Sequence, residues 1–287
     1  MNDEDREPDV NISGGSAGGG VEATFDPTTA GTRAEAVVDR LGERYWQKAY
    51  GGRDGFECLV RTILSQNRSD VAIQPAHDAL MERYGPRAAR SAPESASGDE
   101  SQAADGLAET LVDVPHDELA ETISGAGLYN QKASSIHRAG EWVLEAFGST
   151  SEFDAFVREA DPGEVRDRLL EVKGVGPKTA DCVLLFAGGR GGVFPVDTHV
   201  HRIYRRMGIA PPDADHEAVR EVLEATVPAE KCGFGHTASI QFGREYCSAG
   251  KPACLDDPEA CPLADLCDQV GVYPESGEVV DPSDADG

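Results

Sequence analysis

Four cysteines lie close together near the end of this sequence of 287 residues, in the spacing C-x6-C-x6-C-x5-C; they are Cys247, Cys254, Cys261 and Cys267. Thiolates bind both iron–sulfur clusters and zinc, and four of them complete a [4Fe-4S] site or a zinc site. Free thiols are the third alternative. Cysteines in a cytoplasmic chain of this size do not indicate a disulfide framework, so metal binding is the first interpretation of this group.

A second group of residues could hold a phosphate. The segment 164–187 predicts two helices joined by a short turn, Lys173-Gly174-Val175-Gly176-Pro177. The glycines permit a tight turn and the close approach of another backbone, and Pro177 suits the first turn of a helix. Main-chain N–H groups at such a turn, with the positive end of the second helix, form a site for a phosphate oxygen. An ordinary helix–helix corner is the alternative.

The sequence around this turn, V-K-G-V-G-P-K-T-A-D followed by V-D-T-H-V-H-R, resembles the helix-hairpin-helix superfamily of DNA glycosylases, and within it the endonuclease III family. The resemblance implies that the hairpin grips DNA, that the lysine after it is the nucleophile, and that the aspartate of V-D-T-H completes the site. In this chain these residues are Lys178 and Asp197. Without the resemblance, Lys178 would be a solvated helix lysine and Asp197 a helix N-cap.

The implied chemistry suits both residue types. An amine that attacks the sugar carbon displaces the base and leaves an imine, which allows β-elimination of the 3′ phosphate. Because the amine must be unprotonated to attack, burial beside the positive end of a helix would shift the pKa of Lys178 in the needed direction. An ionised Asp197 can cap the following helix and also stabilise positive charge that develops on the sugar.

A base inside a duplex is out of reach of such a site, so the enzyme must evert it and fill the gap. Two segments, 64–67 and 127–132, resemble the wedge elements of the family. The resemblance implies that Gln66 occupies the vacated space and that Leu128 pries from the other side; otherwise they would be a polar helix end and a core leucine. Further cations are expected to neutralise phosphates: Lys132, Arg138, Arg202 and Arg206.

The resemblance also implies that the four cysteines hold a [4Fe-4S] cluster in a second domain. The chain departs from the family's usual pattern, because LDDPEA separates Cys254 from Cys261 where the family has a tight C-x-x-C. Zinc remains the competing metal. The expected role of the cluster is structural: it orders the loop between Arg244 and Lys251 so that both charges reach DNA phosphate.

Acidic residues outnumber basic ones 52 to 26, which gives a formal net charge of -26. Taken alone, this balance argues against a nucleic-acid partner. The acidic surface is interpreted as a hydrated surface that keeps the protein soluble in a very salty cytoplasm. On this interpretation the net charge says nothing about the binding partner. Few basic residues are lysines, and five of these fall inside or beside the motifs above: Lys132, Lys173, Lys178, Lys231 and Lys251. The lysines therefore mark candidate functional surface.

Apolar residues at helical spacing predict a nearly all-α fold, with helices over 34–49, 56–66, 70–83, 117–125, 131–147, 163–171, 178–187, 199–207, 215–226 and 233–245. Acidic, Gly-rich composition predicts disordered tails over 1–30 and 273–287 and a disordered insertion over 85–106. The resemblance implies a six-helix domain over 53–191 and a cluster domain that combines 31–52 with 192–272. No stretch approaches the roughly 20 apolar residues of a membrane span, so a cytoplasmic protein with no membrane partner is expected.

Together these features predict a monomeric, bifunctional DNA glycosylase and AP lyase that removes oxidised or damaged pyrimidines from double-stranded DNA. A mismatch glycosylase acting on adenine, thymine or uracil is the alternative enzyme. A non-catalytic DNA-binding module is the alternative from another class, and the pairing of Lys178 with Asp197 disfavours it. An electron-transfer protein would explain the cysteines but not the hairpin.

Overall fold

The computed structural model describes residues 24–45, 54–66, 68, 70–86 and 106–285. Most of the predicted insertion and residues 1–23 of the predicted N-terminal tail lie outside them. Within this part the fold is all-α, as predicted, apart from one pair of two-residue strands. The α-helices are α1 (Arg33–Gly42), α2 (Gly55–Ser65), α3 (Asp70–Tyr84), α4 (Leu107–Asp113), α5 (His116–Thr122), α6 (Tyr129–Phe147), α7 (Thr150–Glu159), α8 (Pro162–Leu170), α9 (Pro177–Phe186), α10 (Thr198–Arg206), α11 (His216–Thr226), α12 (Ala229–Glu245) and α13 (Ala253–Asp256).

The chain divides into two compact units. The described residues between Gly51 and Arg190 form unit 1, which contains α2 to α9. Those within Ser16–Tyr50 and Gly191–Gly287 form unit 2, which contains α1 and α10 to α13. Among the described helices, none combines the length and the apolar character that a membrane span requires.

The core of unit 1 is built around α2, which packs against α9. The apolar face predicted for α2 is fully buried: Phe56, Leu59, Val60, Ile63 and Leu64 are each 0% exposed. Two helices of this unit, α4 and α7, are absent from the sequence prediction. The signal for α7 was present, because Ser149 caps it by accepting a hydrogen bond from the N–H of Glu152, and Phe153 and Val157 form its buried face.

Unit 2 brings residues from both ends of the sequence into one core. Helix α1 packs on α12, and the ring of Phe25 lies 4.4 Å from that of Phe234. Residues 24–30 were predicted to belong to a disordered tail, but the Phe25 contact gives this part of the segment an apolar anchor. Three large rings at the centre of the unit, Phe194, Tyr204 and Phe242, are almost completely buried.

The prediction of a disordered tail over 273–287 is wrong for the residues up to 285. Strand β1 (Val272–Tyr273) pairs antiparallel with β2 (Glu278–Val279), and a 3-10 turn follows at Pro282–Asp284. The guanidinium of Arg205, which is nearly buried, donates to Asp281 at 2.6 Å. Removing the partner of a buried cation is costly, so this ion pair holds the acidic segment in place.

Candidate active site

The hairpin between α8 and α9 has the tight geometry that its glycines predicted. Gly174 has a φ of +102°, and a Cβ at this position would lie 3.1 Å from Ser135 Oγ, so a larger residue would be both strained and crowded. Lys173 and Gly174 are exposed. Among the described residues, none accepts a hydrogen bond from the N–H of Gly174 or Gly176. These two N–H groups therefore have the availability that a phosphate site requires.

The N–H group of Val175, in contrast, is not available to a phosphate. Its N–H donates to Val172 O at 2.9 Å, and its side chain is buried. The predicted DNA contacts of the hairpin were residues 173–176, but Val175 instead closes the turn and anchors it to the core. The prediction that Val175 contacts DNA is therefore wrong, and its role is structural.

Lys178 is the second residue of α9, which begins at Pro177 directly behind the hairpin. Its side chain is half-buried. The first turn of a helix carries partial positive charge. One buried ion pair, Arg166 Nε to Asp181 Oδ1 at 2.8 Å, ties α8 to α9. The sequence analysis did not identify this pair, which holds the two helices of the hairpin together.

Gln66 ends α2 and contacts the hairpin. Its side-chain Nε2 donates to Gly174 O at 3.0 Å, so the candidate wedge and the candidate phosphate site share a hydrogen bond within unit 1. The position of Gln66 at the helix end agrees with the sequence analysis.

Leu128 has the two features expected of a wedge rather than of a core leucine. Its side chain is 55% exposed, although large apolar side chains of this part of the chain are mostly buried. Its φ of +50° places a non-glycine residue in the left-handed region, at a cost on the order of 1–3 kcal/mol. Exposure together with backbone strain points to a functional reason for this conformation.

Arg68 was missed by the sequence analysis and lies beside Leu128. Its guanidinium covers Gly127, where an added Cβ would lie 2.6 Å from Nη2. Arg68 is exposed and follows the Gln66 segment, so it supplies a cation at the junction of the two wedge segments. No local sequence pattern identifies Arg68, because its position beside the wedge segments depends on the contact between residues 68 and 127 in the fold.

The prediction that Lys132 neutralises DNA phosphate is wrong. Its side chain is only 3% exposed, and Nζ donates to two main-chain carbonyls, Leu64 O at 2.7 Å and Ala126 O at 2.9 Å. Burial, with a smaller effect of nearby Arg68, lowers its pKa. A group enclosed in this way cannot meet a phosphate. Arg138, in contrast, is half-buried beside the hairpin, where it donates to Ser135 Oγ.

In unit 2, Asp197 caps α10. Its Oδ1 accepts hydrogen bonds from the N–H groups of His199 and Val200, both at 2.9 Å. The cap uses one carboxylate oxygen, so Oδ2 is not needed for it. Burial lowers the pKa of His199, whose Nδ1 lies 3.1 Å from Arg202 Nη2. The structure therefore confirms the capping geometry at Asp197.

The other two arginines expected at phosphate brace the cysteine loop, and Arg206 is too deeply buried to reach a phosphate. Arg202 donates to Cys247 O from Nε and from Nη2, at 3.1 and 2.8 Å. Arg206 is 2% exposed and donates to Ser248 O at 2.9 Å and Ala249 O at 3.2 Å. A guanidinium with several fixed donors suits this role, because it satisfies the carbonyls of a loop that has little secondary structure.

The four cysteines occupy one region of unit 2. Burial raises the pKa of Cys254, Cys261 and Cys267, to about 11 for Cys261 and about 12 for Cys267, and each thiol also feels the charge of Cys247. Two sulfurs accept hydrogen bonds, Cys247 from Arg206 at 3.5 Å and Cys267 from the N–H of Gln269 at 3.3 Å. In the described part of the chain, no three Cys, His, Asp or Glu side chains converge on a point that could hold a single metal ion.

The residues that lengthen the cysteine spacing lie at the surface. Residues 256–260 are all exposed, and Asp257 closes their turn by accepting from the N–H groups of Glu259 and Ala260. The extra segment therefore extends into solvent. The flanking cations differ: Arg244 is exposed, whereas Lys251 pairs with Asp256 at 2.9 Å in an exposed ion pair.

Comparison with known proteins agrees with this arrangement. Over residues 60–229 the chain matches the family described as HhH-GPD superfamily base excision DNA repair protein. It is 32% identical to endonuclease III of Bacillus subtilis (strain 168) over 212 residues, 74% of this chain and 80% of that protein. A solved structure of a trapped endonuclease III–DNA covalent intermediate has a TM-score of 0.61 and 26% identity, and the match covers 83% of this chain and 96% of that chain.

A structure of a thermostable thymine-DNA glycosylase is similar in fold, with a TM-score of 0.62 and 21% identity, over 85% of this chain and 97% of that chain. This similarity is one of fold.

Proposed function

Because this chain belongs to the HhH-GPD superfamily of base excision DNA repair proteins, and is therefore a DNA glycosylase, we propose that it is bifunctional. It removes oxidised or damaged pyrimidines from double-stranded DNA and then cleaves the strand 3′ to the abasic site. The observation that carries this proposal is the position of Lys178, the second residue of the helix that begins directly behind the hairpin.

In the proposed reaction, unprotonated Lys178 Nζ forms a bond to C1′ while the bond from C1′ to the base nitrogen breaks. The base leaves with the electron pair and takes up one of the two protons of the attacking nitrogen. The C1′–O4′ bond of the sugar ring then breaks, O4′ takes up the second nitrogen proton, and the C=N bond of the imine forms. The resulting imine acidifies the C2′–H bond, so loss of that proton expels the 3′ phosphate by β-elimination. Water then hydrolyses the imine and regenerates the lysine.

Asp197 is proposed to stabilise the positive charge that develops on the sugar. Its Oδ1 accepts hydrogen bonds from the main-chain N–H groups of His199 and Val200. The cap also fixes the direction of the carboxylate, because the two hydrogen bonds hold Oδ1 against the first turn of α10.

The proposed DNA contacts follow from the exposure of the candidate residues. The N–H groups of Gly174 and Gly176, with the exposed ammonium of Lys173, bind backbone phosphate without reading sequence. Gln66 and Leu128 fill the space that the everted nucleotide leaves. In unit 2, exposed Arg244 contributes a further phosphate contact, and Lys251 does so once its weak surface pair with Asp256 opens.

The donor set in unit 2 fits a [4Fe-4S] cluster, and we propose that Cys247, Cys254, Cys261 and Cys267 hold it. The thiolates of such a cluster bind separate irons, so they need not converge on one ion. Hydrogen bonds to the Cys247 and Cys267 sulfurs are of the kind that stabilise sulfur ligands. The cluster would serve as a structural cross-link that orders the loop after α12.

Borohydride trapping tests the proposed chemistry, because reduction of the imine leaves the protein covalently attached to DNA. Wild-type protein is incubated with duplexes that carry an oxidised pyrimidine, an abasic site, or thymine opposite guanine. We expect trapping with the first two, and Lys178→Gln abolishes it. Lys173→Gln is the matched control: it removes an exposed hairpin lysine, weakens binding and leaves trapping in place at saturating enzyme.

Two results would contradict the proposal. Trapping that survives Lys178→Gln would assign the nucleophile to another residue. Base removal from the thymine–guanine duplex, without strand cleavage on any substrate, would support a mismatch glycosylase instead.

A further inference from the structure

The ammonium of Lys132 connects the two wedge segments of unit 1. It donates to Leu64 O, two residues before Gln66, and to Ala126 O, two residues before Leu128. The main-chain N–H of Lys132 also donates to Leu128 O at 3.0 Å. One residue therefore holds the backbone of both segments.

The charge of Lys132 is balanced by main-chain dipoles. Within the described residues, no carboxylate lies within ion-pair distance of its Nζ, which is buried. Its two acceptors are carbonyls at the C-terminal end of α2 and of the 3-10 turn Ser124–Ala126, where partial negative charge accumulates. Without the ammonium of Lys132, both carbonyls would lose this hydrogen bond, which is costly for a buried polar group.

The wedges need such support. Leu128 has an exposed side chain and a left-handed backbone, and a strained conformation persists only where the surrounding structure determines it. Gly127 before it also has a positive φ, +65°, so two consecutive residues after the Ala126 carbonyl have a positive φ. The hydrogen bonds of Lys132 to Ala126 O and Leu128 O fix the residues on both sides of Gly127.

We propose that Lys132 is a positioning residue that sets the separation of the Gln66 and Leu128 wedges, so that both enter the duplex together. The inference rests on the proposed function, in which these two residues open the duplex. Lys132 itself does not touch DNA. Its removal affects the opening of the duplex and leaves the chemistry at Lys178 intact.

The test compares a substrate that must be opened with one that need not be. One is a duplex with an oxidised pyrimidine, and the other is a single-stranded oligonucleotide with an abasic site, which requires no base eversion. In Lys132→Met, single-turnover cleavage of the duplex should fall by about 10- to 100-fold, the effect of a misplacement of about 1 Å. Cleavage of the single strand should change by less than about threefold by the same reasoning.

Lys173→Met is the matched control, because it removes an exposed lysine of the same unit and should weaken binding of both substrates alike. A 2-aminopurine base next to the lesion reports duplex opening directly: its fluorescence rises with wild-type protein and with Lys173→Met, but not with Lys132→Met. If Lys132→Met does not fold, as judged by circular dichroism, Lys132→Gln is used instead. Its amide NH2 group still donates hydrogen bonds, so the difference between the two substrates should be the same in direction but smaller.

Equal loss on both substrates by a folded Lys132 variant would show a merely structural role and would overturn the inference, as would full activity on the duplex. Failure of the proposed function is distinguishable, because wild-type protein would then not cleave the single-stranded abasic site at all.

Discussion

Lys231 joins the two sequence-distant parts of unit 2 through a buried ion pair. Its Nζ lies 2.7 Å from Glu35 Oε1 and 2.7 Å from Asp39 Oδ1, and the side chain of Asp39 is 1% exposed. Burial alone would lower the pKa of Lys231. The hydrogen bonds to Asp39 and Glu35 outweigh this effect and raise the pKa. Lys231→Met would leave the Asp39 carboxylate buried without its cation, which costs about 3–5 kcal/mol.

The exposed pair Lys251–Asp256 provides the control. Its separation is 2.9 Å, but both side chains are 69% exposed, so Lys251→Met should cost less than about 1 kcal/mol. Urea unfolding gives both free energies, and hydrogen–deuterium exchange locates the effect: protection should fall in peptides of α12 and remain in α9. The double variant Lys231→Met/Asp39→Leu should recover part of the loss. Equal free energies of unfolding for Lys231→Met and Lys251→Met would refute this reasoning.

Three further predictions concern single residues. Burial raises the pKa of Asp154 from 3.8 to about 6, so its contribution to stability is present below pH 3.8 and is lost as the pH rises through 6. Asp154→Asn keeps the acceptor for the Phe56 N–H and should remove a decline of at most about 3 kcal/mol between these pH values; parallel stability profiles for the two proteins would contradict this. Leu128→Asn places a residue that tolerates positive φ at a strained position. It should keep the melting temperature at or above that of the wild type while duplex cleavage falls about tenfold or more, whereas a lower melting temperature would argue against strain. Cys247→Ser should lower the iron content of purified protein, and Cys232→Ser, at a buried cysteine outside the loop, should not; iron loss in both would indicate a general folding defect.

The sequence predicted the features that are encoded locally. Helical spacing located the buried face of α2, and the glycines located the tight hairpin. In each case the residue type and its near neighbours suffice, because turns, caps and amphipathic faces depend on residues a few positions apart.

The corrections concern residues whose role depends on distant partners. Lys132 and Arg206 look like surface cations in sequence, yet Lys132 meets a carbonyl 68 residues away and Arg206 one 42 residues away. Nothing in the local pattern distinguishes a buried cation from a solvated one. The C-terminal segment was mistaken for a tail for the same reason, since its acidic composition gives no sign of the Arg205 guanidinium that binds Asp281.

The assembly of unit 2 from both ends of the sequence has a consequence for biosynthesis. Helix α1 leaves the ribosome early, but α10 follows about 150 residues later, which takes roughly ten to thirty seconds at ordinary translation rates. Throughout this interval Val37, Val38 and Leu41 lack the core that later buries them. The described residues of unit 1 are all translated within this interval. The nascent chain thus carries an apolar segment that a chaperone could bind, and the four clustered cysteines are translated only after helices α1 to α12.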